Sequence, residues 1–177
     1  MPPTRKKVRE TIRQARRQVP ERYRRQSALK FSTQIAGLEE YQMAASIAGY
    51  LPFDGEADPV PLLERAMLEG RSVYLPVMLM KGEPMKFAPY TRETPLKKNF
   101  LGIGEPDVSE NEMVDADEID FVVMPLVAFD NDCNRIGYGG GFYDLTFSFL
   151  NTAGTEHTSL FGLAFELQRL PDLSIRK

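Results

Sequence analysis

Hydrophobic positions recur along the chain at two different periods. Between residues 4 and 19, Val8, Ile12 and Ala15 fall three or four apart in a stretch without Gly or Pro, which predicts a helix. Pro20 opens a second predicted helix, Glu21 to Ile35, closed by Gly37. Ala45–Leu51 is a short apolar run ended by Pro52 and reads as a buried strand. Asp58 caps and Pro59 starts a helix through Leu62, Leu63, Ala66 and Met67 that stops at Gly70, and Ser72–Pro76 follows as a strand. Strand, helix and strand within about 30 residues form a βαβ unit, which implies a parallel sheet with right-handed crossovers. Further along, Met85–Tyr90 predicts an edge strand, residues 91–120 a long irregular connection and Phe121–Met124 a central strand. Gly139–Leu150 reads as a loop turning into a helix and Ser159–Phe165 as a last strand. The fold class is α/β: an open, mostly parallel sheet flanked by helices, preceded by a basic N-terminal helix.

Composition narrows the setting. A chain of 177 residues with 42% hydrophobic and 27% charged residues is ordinary for one globular domain, here residues 1–177. A single cysteine, Cys133, excludes an intramolecular disulfide framework and a zinc ribbon. The longest apolar run, Phe121–Phe129, contains a proline and falls well short of the roughly 20 residues of a membrane span. The opening MPPTRKKVRE has no apolar core behind its basic cluster and does not read as a secretory signal. A soluble, cytoplasmic protein without a membrane partner is expected.

The formal net charge of −3 hides an asymmetry. Residues 1–30 hold 11 of the 22 Lys and Arg against only Glu10 and Glu21, a net of +9, which leaves −12 on the remainder. Glu105–Asp120 alone holds eight carboxylates and no base. A basic arm of this kind suits nucleic acid, a membrane surface or an anionic small ligand, or is a solvated helix lying on an acidic body.

The chemistry concentrates in Met124–Asp144. A buried strand ends, Asp130–Asn134 makes a turn, and four glycines fall within five positions (Gly137, Gly139, Gly140 and Gly141) before a helix. Open α/β sheets bind ligands beyond the carboxyl ends of their strands, and glycines there let backbone N–H groups approach a phosphate. Arg135 adds a planar bidentate cation, and Asp144 an oxygen donor suited to Mg²⁺ held jointly with phosphates. His157, the only histidine, and Cys133 have no partners in sequence that would suggest nucleophilic catalysis.

The string Asn134-Arg-Ile-Gly-Tyr-Gly-Gly-Gly-Phe-Tyr-Asp144 resembles the signature of the 5-formyltetrahydrofolate cyclo-ligase (5,10-methenyltetrahydrofolate synthetase) family. Arg5-Lys-Lys-Val-Arg9 is similar to that family's basic N-terminal motif, Leu51–Asp58 to its strand-end segment with an essential glutamate, and Leu101-Gly-Ile-Gly-Glu-Pro106 to a further signature. The resemblance implies a three-layer, CoA-transferase-like fold and cyclisation of 5-formyltetrahydrofolate to 5,10-methenyltetrahydrofolate with ATP as co-substrate and Mg²⁺ as cofactor. It implies that Arg5, Lys6, Lys7, Val8 and Arg9, with Arg135, Ile136, Gly137, Tyr138, Gly139, Gly140, Gly141, Phe142 and Tyr143, hold ATP. Leu51, Glu56 and Gly137–Gly141 would line the folate side, Arg135 and Tyr143 would be catalytic, and Asp144 would bind the metal. The remaining arginines, Arg13, Arg16, Arg17, Arg22, Arg24 and Arg25, match nothing required and read as a solvated face.

Three positions and the C-terminal segment depart from the family pattern. Arg5 replaces a usual lysine, Pro59 a frequent threonine, and Phe142 lacks a hydroxyl common at its position. The end, Asp172–Lys177, reads as a shortened C-terminus in which Asp172 is the one candidate for a second metal-binding aspartate. Two rival readings stand beside the resemblance: a nucleic-acid-binding module using the basic helix, and a sugar-phosphate or CoA enzyme of similar architecture. The expected partners are the small-molecule substrates alone, acting on a monomer.

Overall fold

The computed structural model describes residues 4–152 and 157–173. Helix α1 (Arg5–Arg17) begins where the Thr4 hydroxyl accepts a hydrogen bond from the Lys7 N–H, and it ends two residues short of its predicted limit. α2 (Glu21–Ala36) follows Pro20, which sits at the cap rather than inside the helix. α3 (Glu39–Met43) is a single turn that the hydrophobic pattern did not announce. β1 (Ser46–Ala48), α4 (Val60–Leu68) and β2 (Ser72–Val77) form the βαβ unit, with Ser46 opposite Ser72 in a parallel pair. Pro59, not Asp58, holds the cap position of α4 and precedes the helix instead of opening it, while Asp58 Oδ1 accepts from the first helical N–H, that of Val60, at 2.9 Å.

β3 (Lys86–Pro89) is the antiparallel edge strand. Residues 91–120 are not wholly irregular: they contain a small hairpin, β4 (Leu96–Lys98) and β5 (Gly104–Pro106), and two 3-10 turns. β6 (Phe121–Pro125) is central, and β7 (Ala128–Phe129) and β8 (Arg135–Ile136) make a second hairpin. α5 (Phe142–Thr146) is one turn and a half, and β9 (Ser159–Leu163) closes the sheet. The five strands run β3-β2-β1-β6-β9, and all but β3 are parallel.

β1 and β6 are apolar without alternation because helices or loops cover both faces. On one face Ile47, Phe121 and Val123 pack against Tyr41, Leu62, Leu63 and Ala66. On the other, Ala48 and Val122 meet Phe87, Ile119 and Phe147. α1 covers neither: its Val8 and Ile12 rest on Val127, Ala128, Ile136 and Leu173, beside the β7–β8 hairpin.

Asp120 ties the entry of β1 to that of β6. Its Oδ2 accepts from the Ala45 and Ser46 N–H groups at 2.8 and 2.9 Å and from the Ser46 hydroxyl at 2.9 Å. Asp120→Ala is expected to lower unfolding free energy by about 1–2 kcal/mol, seen as a lower urea midpoint at unchanged slope.

Candidate active site

Beyond β6 the chain makes the β7–β8 hairpin, and Asp130 fixes its turn. Oδ1 accepts from the Asp132 and Asn134 N–H groups at 3.0 and 2.9 Å, while Oδ2 accepts from Asn134 Nδ2 and from Leu173 N–H, both at 3.0 Å. The turn read from the sequence is therefore present, and it also anchors the last described residues. From β8 the glycine loop swings into α5, with Gly139 at φ 107° and Gly141 at φ 71°. Arg9 on α1 reaches it: Nε donates to Gly137 O at 2.8 Å, and a Cβ on Gly139 would stand 3.3 Å from the guanidinium carbon. A helix of only five residues aligns few peptide dipoles, so positive potential at the loop comes chiefly from Arg9 and Arg135. Arg135 Nη2 lies 2.5 Å from Asp144 Oδ1, with the Asp144 side chain 73% exposed.

The arginines read as a solvated face are mostly engaged within the protein. The tight turn at Asp54 and Gly55, both with positive φ, offers a carbonyl and a carboxylate toward α1. Arg13 Nε is 2.6 Å from Asp54 Oδ2, Arg17 Nε bonds Oδ1, and Arg16 donates to Asp54 O from Nε and Nη2 at 3.2 and 3.0 Å. Burial pushes the Asp54 carboxyl up, but the bonds from Arg17 and Arg13 outweigh this and hold it below the usual carboxylate range. Arg24 donates to the carbonyls of Val19, Arg16 and Arg17. Only Arg22 and Arg25 keep the surface role, Arg25 pairing with Glu21 one turn away. The physical reason is that strand-end and loop carbonyls beneath α1 need donors, which the guanidinium forks supply.

Glu56 follows directly and is 7% exposed. Its Oε2 accepts from Phe53 N–H at 2.8 Å, and Arg16, Tyr138, Tyr143, Tyr50 and Asp54 surround it electrostatically. Burial pushes its pKa up to about 7, against the opposing pull of the Phe53 N–H, Arg16 and Tyr138. Burial, reinforced by the Glu56 charge, raises the Tyr138 and Tyr143 phenols, which stay protonated at neutral pH. Tyr138 is close to two cations: Arg13 and Arg16 lie 5.0 and 5.4 Å from its ring centroid, and its hydroxyl accepts from Arg16 Nη2.

The β4–β5 hairpin also reaches this region. Leu51 is half-buried, and a Cβ on Gly104 would meet its Cδ1 at 3.5 Å, so Leu51 and the Leu101–Pro106 string are neighbours. Buried Glu105 braces this hairpin, Oε1 accepting from Met78 N–H and Asn99 Nδ2 at 2.9 and 2.7 Å. Phe100 at the hairpin tip, 57% exposed, brings its ring centroid to 6.2 Å from that of Phe142.

The predicted residues thus separate into groups. Arg9, Arg135, Gly137–Gly141, Phe142, Tyr143 and Asp144 share one loop region, and Glu56 joins it through Tyr138. Arg5, Lys6 and Lys7 are exposed on the first turn of α1, whereas Val8 and Ile136 are buried framework whose side chains face the core. Arg13, Arg16, Arg17, Asp54 and Phe100 were missed as site neighbours. For Arg16 a signal existed: it continues the Val8–Ile12 stripe at the same four-residue spacing. Asp172 is exposed, next to docked Leu173, and residues 174–177 of the C-terminal expectation lie outside the described residues. His157 and Cys133 are exposed. Among the described residues no group of three or more His, Cys, Asp or Glu side chains is arranged to hold a metal, and no helix is long and apolar enough to cross a membrane.

Known proteins resemble this chain in sequence and in fold. The model of the 5-formyltetrahydrofolate cyclo-ligase family matches residues 2–176. A curated 5-formyltetrahydrofolate cyclo-ligase of Haemophilus influenzae is 33% identical over 170 residues, covering 96% of this chain and 89% of that one. The solved 5,10-methenyltetrahydrofolate synthetase of Aquifex aeolicus superposes with a TM-score of 0.79 at 25% identity, over 98% of this chain and 84% of that one. A Mycoplasma pneumoniae 5,10-methenyltetrahydrofolate synthetase shares the fold at a TM-score of 0.72 and 20% identity, over 96% and 90% of the two chains.

Proposed function

The chain belongs to the 5-formyltetrahydrofolate cyclo-ligase family, and from that premise we propose how its own residues carry out the reaction. The activity is ATP-dependent cyclisation of 5-formyltetrahydrofolate to 5,10-methenyltetrahydrofolate. A formamide is a poor electrophile and its oxygen a poor leaving group. The formyl oxygen therefore attacks the γ-phosphorus of ATP and ADP departs. N10 then attacks the activated formyl carbon, the carbon–oxygen bond breaks with release of phosphate, and the N10 proton is lost. Phosphoryl transfer of this kind needs alignment and charge neutralisation above all.

One observation carries this reading: Arg9 and Glu56 reach the same glycine loop at neighbouring residues, Arg9 at Gly137 and Glu56 at Tyr138. Arg9 and Arg135 hold the phosphates, with Arg5, Lys6 and Lys7 available at the open end of α1. Gly137–Gly141 let both ligands approach the backbone, and Phe142 and Tyr143 pack at their junction. Leu51 and Glu56 take the pterin, Leu51 by apolar contact and Glu56 by accepting hydrogen bonds from pterin N–H groups.

Asp144 fits a Mg²⁺ ion, because an exposed carboxylate beside a phosphate-binding arginine matches the way Mg²⁺ is shared between one or two carboxylates and phosphates. Bound there, the ion would neutralise phosphate charge.

The basic helix is largely committed to Asp54, loop carbonyls and the glycine loop, which favours an anionic small ligand over nucleic acid. The family match across residues 2–176 supports one domain, read as a cytoplasmic monomer.

Growth of the near-ultraviolet band of the methenyl product, dependent on ATP and Mg²⁺, tests the whole reading; ATP-independent or absent growth would remove it. Arg135→Ala is expected to raise the KM for ATP about tenfold, the loss of one charge-assisted contact, with the folate KM changing far less. An unchanged ATP KM would take Arg135 out of the phosphate site.

A further inference from the structure

We propose that Arg16, a fully buried arginine outside the ligand-contacting set, is a positioning residue that couples the folate side of the site to the ATP side. The inference rests on the assignment of Glu56 to folate and of the glycine loop to ATP. One guanidinium joins three separate segments. Nε and Nη2 donate to Asp54 O, in the turn that presents Glu56, at 3.2 and 3.0 Å. Nη1 donates to Leu126 O, just past the end of β6, at 3.3 Å. Nη2 also donates to the hydroxyl of Tyr138, in the glycine loop, and approaches Asp54 Oδ2 at 3.5 Å.

A buried cation is tolerated only when its donors are matched, and the planar fork fixes their relative directions. Displacing Tyr138 removes an acceptor from the same group that orients the Asp54 turn. A ligand that sets the glycine loop therefore fixes Arg16 and with it the turn carrying Glu56, so the second ligand meets a site already ordered. Such coupling is reciprocal: each ligand tightens the other by the same factor.

Arg16 also acts on Glu56 directly. Its charge lowers the Glu56 pKa, while Asp54, Tyr50, Tyr138, Tyr143 and the Phe53 N–H are the other groups facing that carboxyl. Loss of the cation raises the Glu56 pKa further, so the acid limb of folate binding moves to higher pH in Arg16→Met.

The test is calorimetric titration of the full chain with a non-hydrolysable ATP analogue and Mg²⁺, with and without saturating 5-formyltetrahydrofolate, and the reciprocal pair. The native protein is expected to show mutual tightening of at least about fivefold. Arg16→Lys, which keeps charge without the fork, and Tyr138→Phe, which removes one hydroxyl, are each expected to bring the factor close to one. Arg25→Ala, a surface control on the neighbouring helix, retains it. Absence of mutual tightening in the native protein, or its survival in both Arg16→Lys and Tyr138→Phe, overturns the proposal. Should Arg16→Met fail to fold, those two variants decide. Glu56→Gln separates the two readings: unchanged folate affinity removes the underlying assignment, whereas reduced affinity alongside intact coupling in the Arg16→Lys and Tyr138→Phe proteins removes only the role of Arg16.

Discussion

Glu56→Gln is expected to cost folate turnover roughly 100-fold in kcat/KM while making the protein more stable above neutral pH. The two effects share one cause. A carboxyl that is 7% exposed and whose pKa is about 7, against an ordinary 4.5, binds more protons in the folded than in the unfolded chain between those values. Folding stability contributed by this group therefore falls as pH rises from 4.5 through 7, and the full penalty stands above that window. Glutamine removes the titration, so the difference in Tm between variant and native protein should be small near pH 4.5, widen through pH 7 and then level off. The amide also loses a charged acceptor for pterin N–H groups, which the folate KM reads. Native folate kinetics in the variant would end the assignment of Glu56, and an unchanged slope of Tm with pH would show that the acid is not held out of water.

Gly139→Val should raise the KM for ATP by more than about 100-fold with little loss of secondary structure. A β-branched residue at φ 107° occupies backbone space that L side chains rarely enter, at roughly 1–3 kcal/mol. The same Cβ would stand 3.3 Å from the Arg9 guanidinium carbon, so the loop must shift or Arg9 must leave it. Either response dismantles the bond between Arg9 and Gly137 O on which the ATP side depends. Circular dichroism with nucleotide titration separates this from unfolding, and retained ATP affinity would show that Arg9 and the loop are not the phosphate cradle.

The parallel sheet was legible because its signals are local: doubly buried strands read as unbroken apolar runs, and Gly and Pro punctuate the helices between them. The β4–β5 hairpin was not, since Leu96–Lys98 is exposed throughout and has no alternation to detect. Nor was α3, a single turn with only Tyr41 buried. That Glu56 lies beside the glycine loop could be expected only from the family resemblance, because an isolated loop acid looks like solvent-exposed charge. Arg16 was misread by residue type: arginines are usually exposed, and here the helical spacing from Val8 and Ile12 was the better guide.

The partners of α1 other than Asp54 lie far along the chain. Arg9 bonds residue 137, and Arg16 bonds residues 126 and 138, separations of 128, 110 and 122 positions. Arg13, Arg16 and Arg17 can meet Asp54 as soon as the chain has reached that turn, whereas Leu126 and the glycine loop lie 110 to 128 positions from their partners on α1. Such distant pairings carry the largest loop-closure entropy and form late. The βαβ unit can consolidate beforehand, because Ser46–Val77 contains its own strand pairing and helix. The contacts that join α1 to the glycine loop are thus expected among the last to form, after the sheet beside which the helix rests.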